Sequence, residues 1–143
     1  MKKIILVAAL VLGFAFAASA QPRAVGLRGG ALSYQHTLGS NFAEVDLSFG
    51  GGLGLQATYN TSFYKPEWTK KGTWNAYYGY GAAAYMYGSV IGLGAVGNVG
   101  LEYTFWFPLQ LSLDIRPQVA FYTGGLGLNV TGFYPAFGVR YKF

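Results

Sequence analysis

The sequence predicts an all-β protein: a closed, antiparallel, up-and-down transmembrane β-barrel of eight strands behind a cleaved N-terminal signal helix. Three observations predict it. Apolar and polar residues alternate with a period of two along most of the mature chain. The composition is 52% hydrophobic and 18% aromatic but only 10% charged. No stretch after Ala20 reaches the uncharged apolar length of a spanning helix. A chain this apolar without such a helix has two homes. It is a soluble all-β domain with a large core, or a barrel whose outer face is apolar because its solvent is lipid.

The first element is the leader, MKKIILVAALVLGFAFAASA. Lys2 and Lys3 form a basic start, Ile4 to Ala18 is apolar, and Ala18-Ser19-Ala20 is a small-x-small cleavage site. The expected domains are therefore a signal peptide at 1–20 and one barrel at 21–143. The chain carries a net charge of +5. With no clustered basic face, no nucleic-acid partner is expected. The chain has no cysteine, which excludes a disulfide framework in an exported protein.

Six strands read clearly, near 41–50, 52–64, 73–87, 89–105, 107–122 and 133–143. In Leu109–Val119, Leu109, Leu111, Leu113 and Ile115 share one face, and Gln110, Ser112, Asp114 and Arg116 the other. Pro117 falls on the apolar face, where it removes a ladder hydrogen bond or marks a bulge. Bacterial single-chain barrels usually have even strand numbers, so two more strands are needed. One placement splits the start at Gly29-Gly30 into strands near 22–29 and 31–38, with Leu38–Asn41 and Phe105–Pro108 as periplasmic turns. The other keeps 24–37 whole and splits the end at Thr131-Gly132, where the apolar parity also switches. The first is preferred, because its tight turns fall on the periplasmic side.

The stretch Gly92–Gly97, GLGAVG, matches a dinucleotide fingerprint, and Asp114 lies near the distance of a ribose-binding acid. Such a site needs the third glycine to open a helix. Here a period-two pattern runs on to Phe105, so the glycines are read as small residues on a crowded inner wall.

The polar faces place Glu44, Asp46, Glu102 and Asp114 inside, with Arg28, Arg116, Arg140 and Lys142. An eight-stranded barrel is just wide enough for side chains to fill. Unpaired buried charge is costly, so these eight are expected to form a charge network closing the lumen. The alternative is a narrow charged pore. The aromatics form two groups: Tyr59, Phe63, Tyr64, Trp68 and Trp74 cluster toward one rim, and Tyr103, Phe105, Trp106, Phe107, Tyr141 and Phe143 sit near strand ends.

No catalytic set stands out. His36 is the one histidine, and Ser33 lies three residues before it, on the opposite strand face. One histidine without cysteine leaves no zinc-type cluster. No enzyme activity, cofactor or metal is expected.

The chain ends Gly138-Val-Arg-Tyr-Lys-Phe143. A terminal aromatic with Tyr141 two before it and Gly138 five before it resembles the assembly signal of bacterial outer-membrane proteins. Ala136 departs from that pattern, where a polar residue is usual. Ala24–Gly30, Leu32–Phe49 and Gly97–Gln118 resemble small Bacteroidetes-type outer-membrane barrels, similar to the eight-stranded OmpA/OmpX-like proteins. The resemblance implies a monomer in the outer membrane of a Gram-negative bacterium. Its partners would be outer-membrane lipid and lipopolysaccharide, the barrel assembly machinery and periplasmic chaperones. It implies little about activity; with no catalytic set in the sequence, the expected function is a structural or interaction role. A lipid-modifying barrel enzyme and a soluble lipocalin-like binder are the remaining alternatives.

Overall fold

The structure, a computed structural model, describes residues 2–7, 23–49, 52–125 and 127–142. Residues 2–7 are helical, and most of the expected signal segment lies outside the described residues. No described helix is long and apolar enough to cross a membrane. From Arg23 onward the described structure is all β.

Ten segments build the wall: β1 (Arg23–Arg28), β2 (Ala31–Leu38), β3 (Asn41–Phe49), β4 (Leu53–Tyr64), β5 (Thr73–Tyr87), β6 (Val90–Thr104), β7 (Leu109–Ile115), β8 (Gln118–Tyr122), β9 (Gly127–Thr131) and β10 (Pro135–Lys142). Every pairing is antiparallel. β1 to β7 follow in order, β7 pairs with β10, and β10 closes on β1. β7 and β8 are one stave. They pair with β6 in a single register, Ile115 opposite Val99 and Gln118 opposite Val96. β9 and β10 form the eighth stave, against β8 and β7. The molecule is a closed eight-stranded antiparallel barrel.

Two interruptions have local causes. Pro117 has no N–H to give, so the ladder breaks between β7 and β8, while its carbonyl still accepts from the Gly97 N–H at 2.8 Å. Facing that break, β9 and β10 hold one extra residue, because Gln118 faces Thr131 but Ile115 faces Pro135. This is a bulge centred near Gly132, whose φ is +87° and whose missing Cβ would collide with the Arg116 carbonyl oxygen. The bulge explains the parity switch in the sequence. Leu128 and Val130 face outward before it, and Phe137, Val139 and Tyr141 face outward after it.

The chain start splits at Gly29-Gly30. Both residues have positive φ, 55° and 86°, as a mirror-image two-residue hairpin turn requires. The turns at 29–30, 88–89 and 123–125 therefore share one end, the hairpin end, with Gly52 beside them; Gly50 and Gly51 lie outside the described residues. Gly39-Ser40, Lys65–Gly72, Phe105–Pro108, Arg23 and Lys142 share the other, the terminal end. The described members of both aromatic groups foreseen in the sequence fall there together, Phe143 lying outside the described residues. Trp68, Trp74, Tyr103 and Phe105 form a chain of ring contacts at 4.6–5.0 Å, which Trp106 and Phe107 extend.

The packing is inverted relative to a water-soluble domain. Among the described residues, fourteen polar or charged residues are buried against nine hydrophobic ones. Meanwhile Leu93, Phe121 and Leu128 are each more than half exposed on the outer wall. The staves also differ in height. β1 has 6 residues, while β5 and β6 have 15 each. At the hairpin end β9 rises past β1 and pairs only with β8 among the described strands.

Candidate functional site: the lumen

Alternation along β1, β3, β10 and the stave of β7 and β8, with Arg116 just past the end of β7, brings six of the eight expected charges together. Arg116 sits among three acids. Its Nη2 bonds Glu44 and lies 3.3 Å from Asp114, and its Nη1 lies 2.5 Å from Asp46. Arg28 Nε donates to both Asp114 oxygens at 2.9 Å and its Nη1 lies 3.8 Å from Asp46. Arg140 Nη2 lies 3.0 Å from Glu44. Three guanidinium groups thus meet three carboxylates. The planar fork of arginine suits such shared contacts.

Neutral groups complete the cluster. Arg140 donates through Nε to Ser33 Oγ at 2.9 Å and through Nη1 to Ser112 Oγ at 2.8 Å. Gln35 donates to Glu44 Oε2 at 2.8 Å, and Tyr77 to Asp114 Oδ2 at 3.3 Å. Glycines make the room. A Cβ at Gly100 would lie 2.6 Å from Asp114 Cβ and from the Tyr77 hydroxyl. One at Gly138 would crowd Ser112 and lie 3.0 Å from Arg140 Nη1. Gly138 therefore has a packing duty in the lumen. Tyr141 faces outward, and Phe143 lies outside the described residues.

The other two expected charges stand apart. Glu102 is buried and has no salt bridge among the described residues; its Oε1 accepts from Asn75 Nδ2 at 3.0 Å. Lys142 is half-buried, also without an ion pair among the described residues. The expected balance of four acids and four bases is corrected to three and three. Register is the reason: Glu102 lies opposite Asn75 and Ser112, and among the described residues no arginine comes within salt-bridge distance of it.

Toward the hairpin end the filling changes character. Tyr85 donates to Gln118 Oε1 at 2.6 Å, Gln56 Nε2 donates to the same oxygen at 3.0 Å, and Gln118 Nε2 donates to Thr131 at 3.1 Å. The rings of Tyr85 and Tyr122 stack at 6.1 Å over a small apolar cluster of Ala83, Val96 and Ala120. GLGAVG belongs to this wall. Gly92 faces Tyr122 and Gly94 faces Ala120, and no helix follows. Sequence reasoning gave Tyr77 and Tyr85 no role. Their signal was a bulky ring at inner parity opposite glycine, as Tyr77 faces Gly100 and Tyr85 faces both Gly54 and Gly92.

At the terminal end the lumen opens into a cavity of about 170 Å³, lined among others by Phe42, Asn75, Glu102, Gln110, Lys65 and Lys142. Ser33 and His36 lie on opposite faces. Ser33 is buried against Arg140 and Glu44, while His36 contacts Tyr34 at 3.1 Å on the outer side. Among the described residues no cluster of three or more His, Cys, Asp or Glu side chains could hold a metal ion. No protein-family model, curated protein or solved structure matches the chain.

Proposed function

We propose that the protein is a small outer-membrane β-barrel of a Gram-negative bacterium, with a closed, charge-paired lumen and a structural or interaction role. The observation that carries this reading is the inverted polarity. Water would disfavour an outer wall rich in leucine, valine and phenylalanine around a core of arginine and carboxylate, whereas lipid favours it. The aromatic and lysine-bearing terminal rim fits an interfacial belt. The basic, apolar leader and the Gly138, Tyr141 and Phe143 pattern support export and handling by periplasmic chaperones and the barrel assembly machinery. Lipid and lipopolysaccharide are then the surrounding partners of a monomer without enzymatic activity.

The interaction role has a physical seat. β9 has one unpaired edge among the described strands, and such an edge accepts an added strand. A second reading, a narrow pore, draws on the terminal cavity. Arg116 and its three acids stand across that route, so closure is the better-supported reading.

The test is refolding into vesicles, followed by electrophoresis with and without boiling. A faster-running unboiled form that resists protease only in lipid supports the reading. A folded monomer soluble without detergent overturns it.

A further inference from the structure

The terminal cavity holds an unexplained set of atoms. Glu102 Oε2, Asn75 Oδ1 and Gln110 Oε1 are all buried without a hydrogen-bond partner, and all three residues line the cavity. They sit on one wall. Asn75 is directly opposite Glu102 across β5 and β6. Gln110 faces Thr104 on β6, the next inward residue after Glu102. The Asn75 amide holds one Glu102 oxygen at 3.0 Å, which leaves the other free. Buried acceptors without donors are costly, so this wall calls for a donor-rich, positively charged group.

Two cations flank this wall. Lys65, just past the end of β4, and Lys142, on β10, also line the cavity, on the staves beside β5 and β7; among the described residues neither forms a salt bridge with Glu102. A bare cation would meet two ammonium groups there, and a bare anion would meet the buried carboxylate. A molecule carrying both charges satisfies the carboxylate and the lysines together. A primary ammonium has three N–H donors, matching the three free acceptors in number. The volume suits a compound of a few non-hydrogen atoms, being worth about five or six waters at roughly 30 Å³ each.

We infer that the terminal cavity binds a small zwitterion, its primary ammonium held by Glu102, Asn75 and Gln110 and its anionic end by Lys65 and Lys142. The inference rests on the lumen alone and stands whether or not the barrel crosses a membrane. A phosphorylated amino alcohol has this chemistry, either as a free solute or as the headgroup of an ethanolamine phospholipid.

The test is an amide-resolved NMR titration of the full refolded protein in maltoside micelles, with O-phosphoethanolamine, ethanolamine and inorganic phosphate. O-phosphoethanolamine should give saturable shifts at Asn75, Glu102 and Gln110, with at least tenfold weaker binding of either fragment. Glu102→Gln, which preserves shape, should weaken binding at least tenfold while keeping the wild-type spectrum elsewhere; Lys142→Met should weaken it several-fold. Nanodiscs of phosphatidylethanolamine against phosphatidylglycerol separate the sources. Shifts in the former without added solute assign the headgroup, and shifts only on adding the solute assign the free compound. The inference is overturned if the wild type shows no saturable shift in any arm, because water then satisfies these oxygens. It is also overturned if phosphate alone binds as well, or if Glu102→Gln changes nothing.

Discussion

The middle of the lumen and its terminal mouth are built from similar residues in opposite electrostatic states. In the middle, Glu44, Asp46 and Asp114 each lie against at least one arginine. At the mouth, Glu102 has an amide for company and no opposite charge within salt-bridge distance. Removing two charges from water costs several kcal/mol per ion, and only close, hydrogen-bonded pairing offsets it. The middle pairs every carboxylate with a guanidinium, leaving Asp46 Oδ1 and Arg116 Nε without hydrogen-bond partners, and acts as a cross-brace between staves far apart in sequence. The mouth does not, and it is where a cavity remains.

The largest expected effect comes from breaking the brace. Arg116→Met leaves Glu44, Asp46 and Asp114 clustered without their shared cation. It should destabilise the barrel by about 3–5 kcal/mol in urea unfolding, or prevent refolding. Next come the glycines that make the brace possible. Gly100→Leu places a side chain where Asp114 and Tyr77 already meet, with an expected loss of about 1–3 kcal/mol. Gly132→Ala forces a side chain into positive φ against the Arg116 carbonyl, with a loss of about 1–3 kcal/mol by the same assay. The smallest effect sharpens the comparison. Glu102→Gln should change stability by less than about 1 kcal/mol, because no ion pair is lost, while Glu44→Gln, which strips the partner from Arg116 and Arg140, should cost several times more. Equal effects at Glu44 and Glu102 would erase the distinction between brace and mouth.

What was legible in the sequence follows from which interactions are local. Period two is local, so the inward parity of Glu44, Asp46, Asp114, Arg116 and Arg140 could be read directly. So could the parity change at Gly29-Gly30, which a turn or a bulge explains equally and which the positive φ of both glycines resolves as a turn. Pairing within the lumen is not local. Arg140 and Glu44 are 96 positions apart and Arg28 and Asp114 are 86 apart. Their meeting depends on strand register and stagger around the whole barrel. That is why Glu102 and Lys142 were counted into the network and stand outside it. The bulge at Gly132 left a trace, the switch from Val130 to Phe137 parity. A turn explains that trace as well as a bulge does, and only the partner strand's break at Pro117 decides between them. The common rim of Trp68, Trp74 and Phe105 was hidden for a similar reason. It needed the stave count before the ends of β4, β5 and β6 could be assigned to one side.

The closed lumen is the central claim, and conductance across a planar lipid bilayer tests it most directly. The refolded protein should insert and pass no steady unit current, with Arg116 and its three acids filling the waist. A reproducible unit conductance in the wild type, altered in ion selectivity by Arg116→Met or Asp114→Asn, would contradict it and make those side chains the lining of a pore.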